Sequence, residues 1–247
     1  MKKLAVTCML GGALVLGVST IYTQATSDGE MKPNEHILEV DLVDSTSKVK
    51  LLAHKEKDSK EIEADVTIDP KDLSLKELKK YVNKMPYYYK KLEKQGHESV
   101  ESTITLNEPI SYEQFAELVS TYNIQVSRIY AATVFEDGSE GGLTVALDDH
   151  NQIPMEKIHS LANGPVKQEV EGIYAFNATI NVKDSTFNDL SSHEDVFLVD
   201  VSHNYIKETL EGSDKIKKLK ANDSKHTIDI NVYDLYWELQ QVTKDSN

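Results

Sequence analysis

The chain has 247 residues, 41 of them acidic and 27 basic, so its formal charge at pH 7 is −14. A surface this acidic repels phosphate backbones and anionic lipids, and arginine, the side chain best suited to bidentate phosphate recognition, occurs only at Arg128. The composition therefore argues against a nucleic-acid partner. The excess of lysine over arginine is typical of an AT-rich genome, as in many Gram-positive bacteria.

Residues 1–25 have the organisation of a bacterial export segment. Two lysines precede the uncharged stretch Leu4–Ser27, whose apolar centre is Met9–Val18. Cleavage after Ala25 would place small residues ahead of the cut, although a stretch of about 20 apolar residues can also span a membrane. Glycines and polar residues within the stretch favour cleavage. We therefore predict an extracytoplasmic protein, secreted or at the outer face of the cell membrane, which contacts the membrane only through residues 1–25 if they stay uncleaved.

The only cysteine, Cys8, lies near the start of this segment and is not preceded by a leucine-led lipobox. Lipid attachment is therefore not expected. Cleavage would leave a mature chain without a thiol, which excludes disulfides, thiolate metal sites and cysteine nucleophiles. Loss of the two lysines would also change the formal charge from −14 to about −16.

The region predicted to follow the export segment is a polar linker, residues 26–36, and then an N-terminal strand and helix region, residues 37–100. Its first part contains two predicted strands, His36–Val43 and Lys48–Ala53. The polar residues between them predict a turn, so we expect a hairpin.

The helical part of this region begins at a capping box formed by Ser74 and Glu77. The first helix should end near Met85, because the proline that follows cannot continue it. A second short helix is predicted over Pro86–Lys94.

Residues 101–206 are predicted to form a single α+β domain. Its first half has a strand at Thr103–Leu106, a helix that begins at the capping box of Ser111 and Gln114, and a strand at Gln125–Phe135. The apolar face of the helix has the spacing i, i+3, i+4 and i+7. Its members are Phe115, Leu118, Val119 and Tyr122.

A hairpin is predicted through Glu136–Gly142. Asp137-Gly138 and Gly141-Gly142 are its expected turn residues, and the returning strand carries Leu143, Val145 and Leu147. A short surface helix is then predicted over Pro154–Ala162, because glycine and proline follow it.

The second half of the domain repeats the strand, helix, strand order. Alternation predicts a strand with one apolar face, formed by Tyr174, Phe176, Ala178, Ile180 and Val182. Asp184 or Ser185 can cap a short helix, and Val196–Val201 predicts the next strand. Two such units in tandem predict a ferredoxin-like sandwich, with helices on one face of an antiparallel sheet.

The last region, residues 207–247, begins with a charged connection, Glu208–Lys225, predicted as loop or short helix. Thr227–Val232 alternates like a strand. Asp234 is positioned to cap a final helix that carries Leu235, Leu239 and Val242.

Residues 173–202 resemble the second half of the propeptide and inhibitor domains of subtilisin-like proteases. The resemblance consists of the strand Ile173-Tyr-Ala-Phe-Asn-Ala-Thr-Ile-Asn-Val, a helix with Phe187 and Leu190, and the strand Val196-Phe-Leu-Val-Asp-Val. It covers about 30 of 247 residues, and no protease domain follows it. The resemblance implies a free-standing inhibitor or a chaperone-like binding protein.

Patterns that would indicate catalysis or metal binding are weak. Ser45-Thr46-Ser47-Lys48 matches S-x-x-K without the companion motifs of penicillin-recognising enzymes, and a hairpin turn explains it better. No two histidines have the i, i+4 spacing of a helical metal site. The acid-rich stretches Asp148-Asp149-His150 and Glu136–Glu140 do not fit the EF-hand pattern. We therefore predict no catalytic residues, no cofactor and no metal, although an enzyme with dispersed acidic residues leaves no local sequence pattern.

Aromatic residues are the candidates for an interface. Three consecutive tyrosines, Tyr87, Tyr88 and Tyr89, cannot all face one core, and Trp237 is flanked by Tyr233 and Tyr236. Core packing is the competing interpretation for each. The leading hypothesis is an exported, non-catalytic protein that binds a protein or an envelope component. The alternatives are a propeptide-like protease inhibitor or chaperone, and a hydrolase with dispersed acidic residues.

Overall fold

The structure is a computed structural model. The residues that it describes are 7–10, 14–20, 38–44, 47–54, 62–68, 74–147, 168–182, 184–212, 228–232 and 234–244. For the strands before residue 74 and for residues 228–231 it describes the backbone. The predicted linker at 26–36, the predicted helix Pro154–Ala162 and the acidic stretch Asp148-Asp149-His150 lie outside these residues.

The described elements begin with five strands, and strands and helices are mixed from residue 75 onwards. In chain order they are β1 (Thr7–Leu10), β2 (Leu14–Thr20), β3 (Leu38–Asp44), β4 (Ser47–His54), β5 (Ile62–Ile68), α1 (Leu75–Val82), α2 (Met85–Gln95), β6 (Ser99–Ile110), α3 (Tyr112–Tyr122), β7 (Gln125–Phe135), β8 (Glu140–Ala146), β9 (Gln168–Asn181), α4 (Thr186–Ser191), β10 (Val196–Asp200), α5 (Ser202–Gly212), β11 (Ile228–Val232) and α6 (Tyr236–Lys244).

Contacts between residues divide the chain into two compact units. Unit 1 comprises residues 1–81 and 205–233, and unit 2 comprises residues 82–204 and 234–247. Helix α2, placed by the sequence in the N-terminal region, therefore belongs to unit 2. The predicted C-terminal region, residues 207–247, is divided between the two units: β11 belongs to unit 1 and α6 to unit 2.

Unit 1 contains a six-stranded sheet in the order β1-β2-β3-β4-β5-β11. Its sequential neighbours are antiparallel, whereas β11 pairs with β5 in parallel. The predicted hairpin is confirmed as β3 and β4, with Asp44 opposite Ser47. Strands β1 and β2 come from the predicted export segment, and cleavage after Ala25 stays a prediction.

The predicted start of α1 is confirmed. The Ser74 N–H donates to Oε2 of Glu77 at 3.0 Å, and the Glu77 N–H donates to the Ser74 hydroxyl at 3.3 Å. The Ser74 hydroxyl also donates to Oε2 of Glu77 at 3.1 Å, and the two bonds that this carboxylate accepts from Ser74 hold the pKa of Glu77 below its usual value. Helix α1 ends at Val82, slightly before the predicted end, and α2 then begins with Pro86 in its first turn.

Unit 2 contains a five-stranded sheet in the order β10-β6-β9-β7-β8, and all of its strand pairs are antiparallel. Strands β6 and β7 lie on either side of β9, and strands β9 and β10 lie on either side of β6. This is the interleaved arrangement of two βαβ units. The predicted α+β class is confirmed, and the strand order supports the ferredoxin-like assignment, which stays a proposal.

Helix α3 packs on the sheet through the aromatic pair Phe115 and Phe176, whose ring centroids are 5.0 Å apart. The helix begins where predicted, since the Gln114 N–H donates to the Ser111 hydroxyl and the Gln114 side chain accepts from the Ser111 N–H. It ends at Asn123, which adopts a left-handed conformation with φ of 48°. The predicted strand, helix, strand order is therefore confirmed for β6, α3 and β7.

Helix α4 packs on strands β9 and β10 of this sheet. The Thr186 N–H donates to Oδ1 of Asp184 at 3.0 Å, so Asp184 supplies the cap. Phe187 is buried and stacks on Tyr89 of α2, with ring centroids 4.3 Å apart. Helix α2 therefore contacts α4 through this ring pair.

The hairpin between β7 and β8 has a shorter turn than the sequence predicted. The Gly138 N–H donates to the Phe135 carbonyl, and Gly138 has a φ of 81°, so it supplies the left-handed residue. Gly141 and Gly142 were predicted as turn residues, but they lie within β8. The correction follows from the pairing, because Asp137-Gly138 alone closes the turn.

Candidate functional site

The face of the sheet opposite α3 carries the last helix, α6. Asp234 caps this helix as predicted, since its Oδ1 accepts from the Tyr236 N–H at 3.2 Å. The Leu235 N–H donates to Oγ1 of Thr105 at 3.3 Å, and Nε2 of Gln240 donates to the carbonyl of Asn107 at 3.2 Å. Both partners belong to β6, so α6 is fixed on the sheet at both ends of its first two turns.

Helix α6 brings together four aromatic rings, which we call the aromatic surface: Tyr130 of β7, Tyr174 of β9, and Tyr236 and Trp237 of α6. Tyr174 stacks on Tyr236 with centroids 4.6 Å apart and meets Trp237 edge-on at 5.5 Å. Tyr236 and Trp237 are 5.1 Å apart. Tyr174 and Tyr236 are buried, whereas Tyr130 and Trp237 are partly exposed.

A β-bulge places Tyr174 in this surface. The pairing between β7 and β9 passes from Tyr130 opposite Ala175 to Ala131 opposite Ile173, so Tyr174 is the extra residue. Tyr174 and Ala175 therefore both belong to the cluster under α6, while Phe176 packs against α3. The sequence predicted Tyr174 and Phe176 on one face, and that prediction is wrong because alternation breaks at the bulge.

Gly142 of β8 lies next to the rings of Tyr174 and Trp237. A Cβ at Gly142 would lie 3.0 Å from the Tyr174 hydroxyl oxygen and 3.8 Å from Nε1 of Trp237. The missing side chain thus lets the phenol and the indole approach the backbone of β8. Because β8 is at the end of the strand order, Trp237 lies near the rim of the sheet.

The electrostatic surroundings of the aromatic surface are acidic. Burial, followed by the nearby carboxylates of Glu108, Glu171 and Glu140, raises the pKa of Tyr236 to about 12. Burial raises the pKa of Asp234 to about 6 and also raises the pKa of Glu238 above its usual value. Lys244 partly offsets this charge, with Nζ 3.5 Å from Oε2 of Glu140.

The three consecutive tyrosines of α2 have three different environments. Tyr87 is 44% exposed and has Nζ of Lys91 at 5.6 Å from its ring centroid. Tyr88 is partly buried. Tyr89 is 6% exposed, and its hydroxyl donates to the carbonyl of Val182 at 2.8 Å. Tyr89 is therefore a core residue, and the predicted interface on α2 depends on Tyr87.

Sequence reasoning found Trp237 but missed Tyr130, Tyr174 and Gly142. No local pattern links these residues, because they meet only through the pairing of β7, β8 and β9. Tyr233, which was predicted to flank Trp237, lies outside the described residues.

A polar cluster outside the aromatic surface lies where β10 is followed by α5. Nδ1 of His203 is 3.1 Å from Oε2 of Glu101, and Oδ1 of Asn204 accepts from the Glu101 N–H at 2.9 Å. Oδ1 of the buried Asp200 accepts from the Ser202 N–H at 2.8 Å. The Asp200 bond caps the N-terminus of α5, and the Asn204 bond pairs the Glu101 N–H of β6. The cluster therefore has a structural explanation.

The other motifs that the sequence singled out form ordinary turns and strands. Ser47 and Lys48 of the S-x-x-K pattern lie in β4. Asp137 accepts from the N–H and hydroxyl of Ser139, which holds the pKa of Asp137 below its usual value. Within the described residues, no group of three histidine, cysteine or acidic side chains converges as a metal site would require.

Comparisons with known proteins give no relative: no family model, no curated protein and no solved structure matches the chain. Over the described part of the chain, no helix combines the length and the hydropathy needed to cross a membrane.

Proposed function

We propose that the chain is an exported, non-catalytic protein that binds a protein or an envelope component outside the cytoplasmic membrane. The observation that carries the proposal is the aromatic surface, where a rigid cluster of rings ends in the partly exposed Tyr130 and Trp237. Tryptophan and tyrosine are enriched among residues that contribute most to protein interfaces.

The packing of the aromatic surface favours binding because the rings are already ordered. Tyr174 and Tyr236 are buried and stacked, and they support the indole of Trp237 from two sides. A partner that covers this indole would therefore lose little additional side-chain entropy on association. The acidic residues around it favour a partner with positive charge.

The second candidate is a propeptide-like protease inhibitor. It is favoured by one observation: residues 173–202, which carry the resemblance, fold as β9, α4 and β10 within two interleaved βαβ units. Residual subtilisin activity measured with a large molar excess of the protein tests this candidate, and unchanged activity would remove its simplest form.

The leading proposal is tested with the full chain carrying a C-terminal affinity tag, expressed in a Gram-positive host. Its N-terminus and its cell fraction test export, and a start at Thr26 outside the membrane is expected. Chemical crosslinking followed by affinity capture then compares the wild type with Trp237→Phe and Tyr87→Ala. Each variant must first show the circular dichroism spectrum of the wild type.

We expect Trp237→Phe to reduce the crosslinked partner and Tyr87→Ala to leave it unchanged. Loss of the partner only with Tyr87→Ala would move the interface to α2. A protein retained in the cytoplasm, or one that turns over a substrate in a broad hydrolase screen without any captured partner, would contradict the proposal.

A further inference from the structure

Strand β8 has one edge that no described strand covers. The Leu147 N–H donates to the Ser127 carbonyl, and the Phe135 N–H donates to the Ser139 carbonyl, both at 2.9 Å. Hydrogen-bonded pairs alternate along an antiparallel ladder, so the odd-numbered residues of β8 bond to β7. The backbone groups of the exposed residues Gly142, Thr144 and Ala146 therefore point away from β7.

Among the residues that the structure describes, this edge has few of the features that usually protect an edge strand from pairing. Such strands carry lysine, proline or a bulge, or are very short. Strand β8 begins with the charged Glu140, which pairs with Lys244, but its residues 141–146 are Gly-Gly-Leu-Thr-Val-Ala, and its pairing with β7 has no register shift. An edge of this length is the kind of surface to which extended peptides add as an extra strand.

The aromatic surface borders the same edge. The indole of Trp237 lies against the backbone at Gly142, because this glycine has no side chain to displace it. A strand added to β8 would lie about 4.8 Å beyond it. Every second side chain of that strand would project on the face of α6, beside the partly exposed indole.

The acidic charge near this edge favours a basic peptide as its partner. Within the described residues 136–147, which form the turn and β8, three side chains are acidic and none is lysine or arginine. The nearby cations are Arg128, on β7 opposite Ala146, and Lys244, which is 3.5 Å from Glu140. A second copy of this chain would bring the same acidic segment to the edge, whereas a basic peptide would complement it.

We propose that the edge of β8 that faces away from β7 binds an extended, lysine-containing peptide segment of a protein partner by strand addition, with a lysine of the peptide over the Trp237 ring. The inference rests on the proposed binding function and names the chemistry of the partner. Backbone hydrogen bonds to Gly142, Thr144 and Ala146 supply affinity, and the indole and the acidic residues select lysine over glutamate.

The test uses the full chain and a blocked synthetic peptide of alternating lysine and valine, about six residues long to match the length of a typical strand. Trp237 is the only tryptophan, so its fluorescence reports binding at this edge. We expect a saturable change in emission that weakens with added salt, because the contact is partly ionic. The matching peptide of glutamate and valine should give no change.

Variants at Thr144 test whether the peptide binds through the backbone of β8. Thr144→Pro removes an N–H that points away from β7, a substitution that edge strands tolerate, and we expect binding to weaken about tenfold. Thr144→Val keeps the N–H, so it should bind the peptide more tightly than Thr144→Pro does. Thr144→Lys keeps the N–H but adds a positive charge, and it should also weaken binding, which covers the case in which the proline variant does not fold.

Three results would overturn the proposal even if the lysine peptide binds. These are equal binding of the glutamate peptide, unchanged binding by both Thr144→Pro and Thr144→Lys, and a dimer of the wild type that Thr144→Pro dissociates. Failure of the peptide to bind, while Trp237→Phe still abolishes capture of a partner, would reject strand addition and leave the proposed function standing. If the peptide does not bind and Trp237→Phe has no effect on capture of a partner, strand addition and the proposed function are both rejected.

Discussion

Replacing Asp234 by asparagine should stabilise unit 2 at neutral pH. Burial raises the pKa of Asp234 to about 6 from a usual value of 3.8. Between these values the folded protein holds a proton that the unfolded chain has lost, so the stability contributed by this group falls as the pH rises from about 4 to about 6. Above that range the folded protein carries a desolvated charge, which asparagine would remove.

The size of the effect follows from the shift in pKa. One unit corresponds to 1.36 kcal/mol, so a shift from 3.8 to about 6 gives at most about 3 kcal/mol. Asparagine retains an oxygen that can accept from the Tyr236 N–H, which is 3.2 Å from Oδ1 in the wild type. The helix cap is therefore kept, and the expected gain above pH 7 is about 2 to 3 kcal/mol.

Urea unfolding followed by tryptophan fluorescence measures this gain, because Trp237 is the only tryptophan and belongs to unit 2. The measured quantity is the difference in unfolding free energy between Asp234→Asn and the wild type from pH 4 to pH 8. Asp184→Asn makes the same change at an exposed cap and serves as the control. A difference that does not grow between pH 4 and pH 6, or a uniform loss of stability, would refute the reasoning.

Two further substitutions test the packing of unit 2 by the same measurement. A Cβ at Gly172 would lie 2.6 Å from a backbone carbonyl oxygen of β6, so Gly172→Ala should lower the unfolding free energy by about 1 to 3 kcal/mol. A Cβ at Gly142 would lie 3.0 Å from the hydroxyl oxygen of Tyr174, at the end of a side chain, so Gly142→Ala should lower it less. Equal losses of stability in the two variants would contradict this explanation. Tyr89→Phe removes a buried hydrogen bond and should cost about 1 kcal/mol. Tyr87→Phe, at the exposed neighbour, should cost less than half of that, and no difference between the two would show that the buried hydroxyl contributes nothing.

The sequence by itself determined the local elements and their ends. The caps at Ser74, Ser111 and Asp234 were predictable because each bond joins residues two or three positions apart. The spacing of Phe115 and Leu118 likewise fixed the face of α3 that is buried. These interactions form within one turn of chain, so no knowledge of distant partners was needed.

Only the tertiary structure decided which residues form the aromatic surface and which of the described strands lies at the end of the sheet of unit 2. Tyr174 changes face because β9 pairs with a strand some 45 residues earlier through a bulge, and bulges leave no alternation to follow. Gly142, which resembled a turn residue, proved to lie next to the ring of Trp237. The physical reason is that pairing of distant strands fixes both features, whereas hydrophobic periodicity reports only on the segment that contains it.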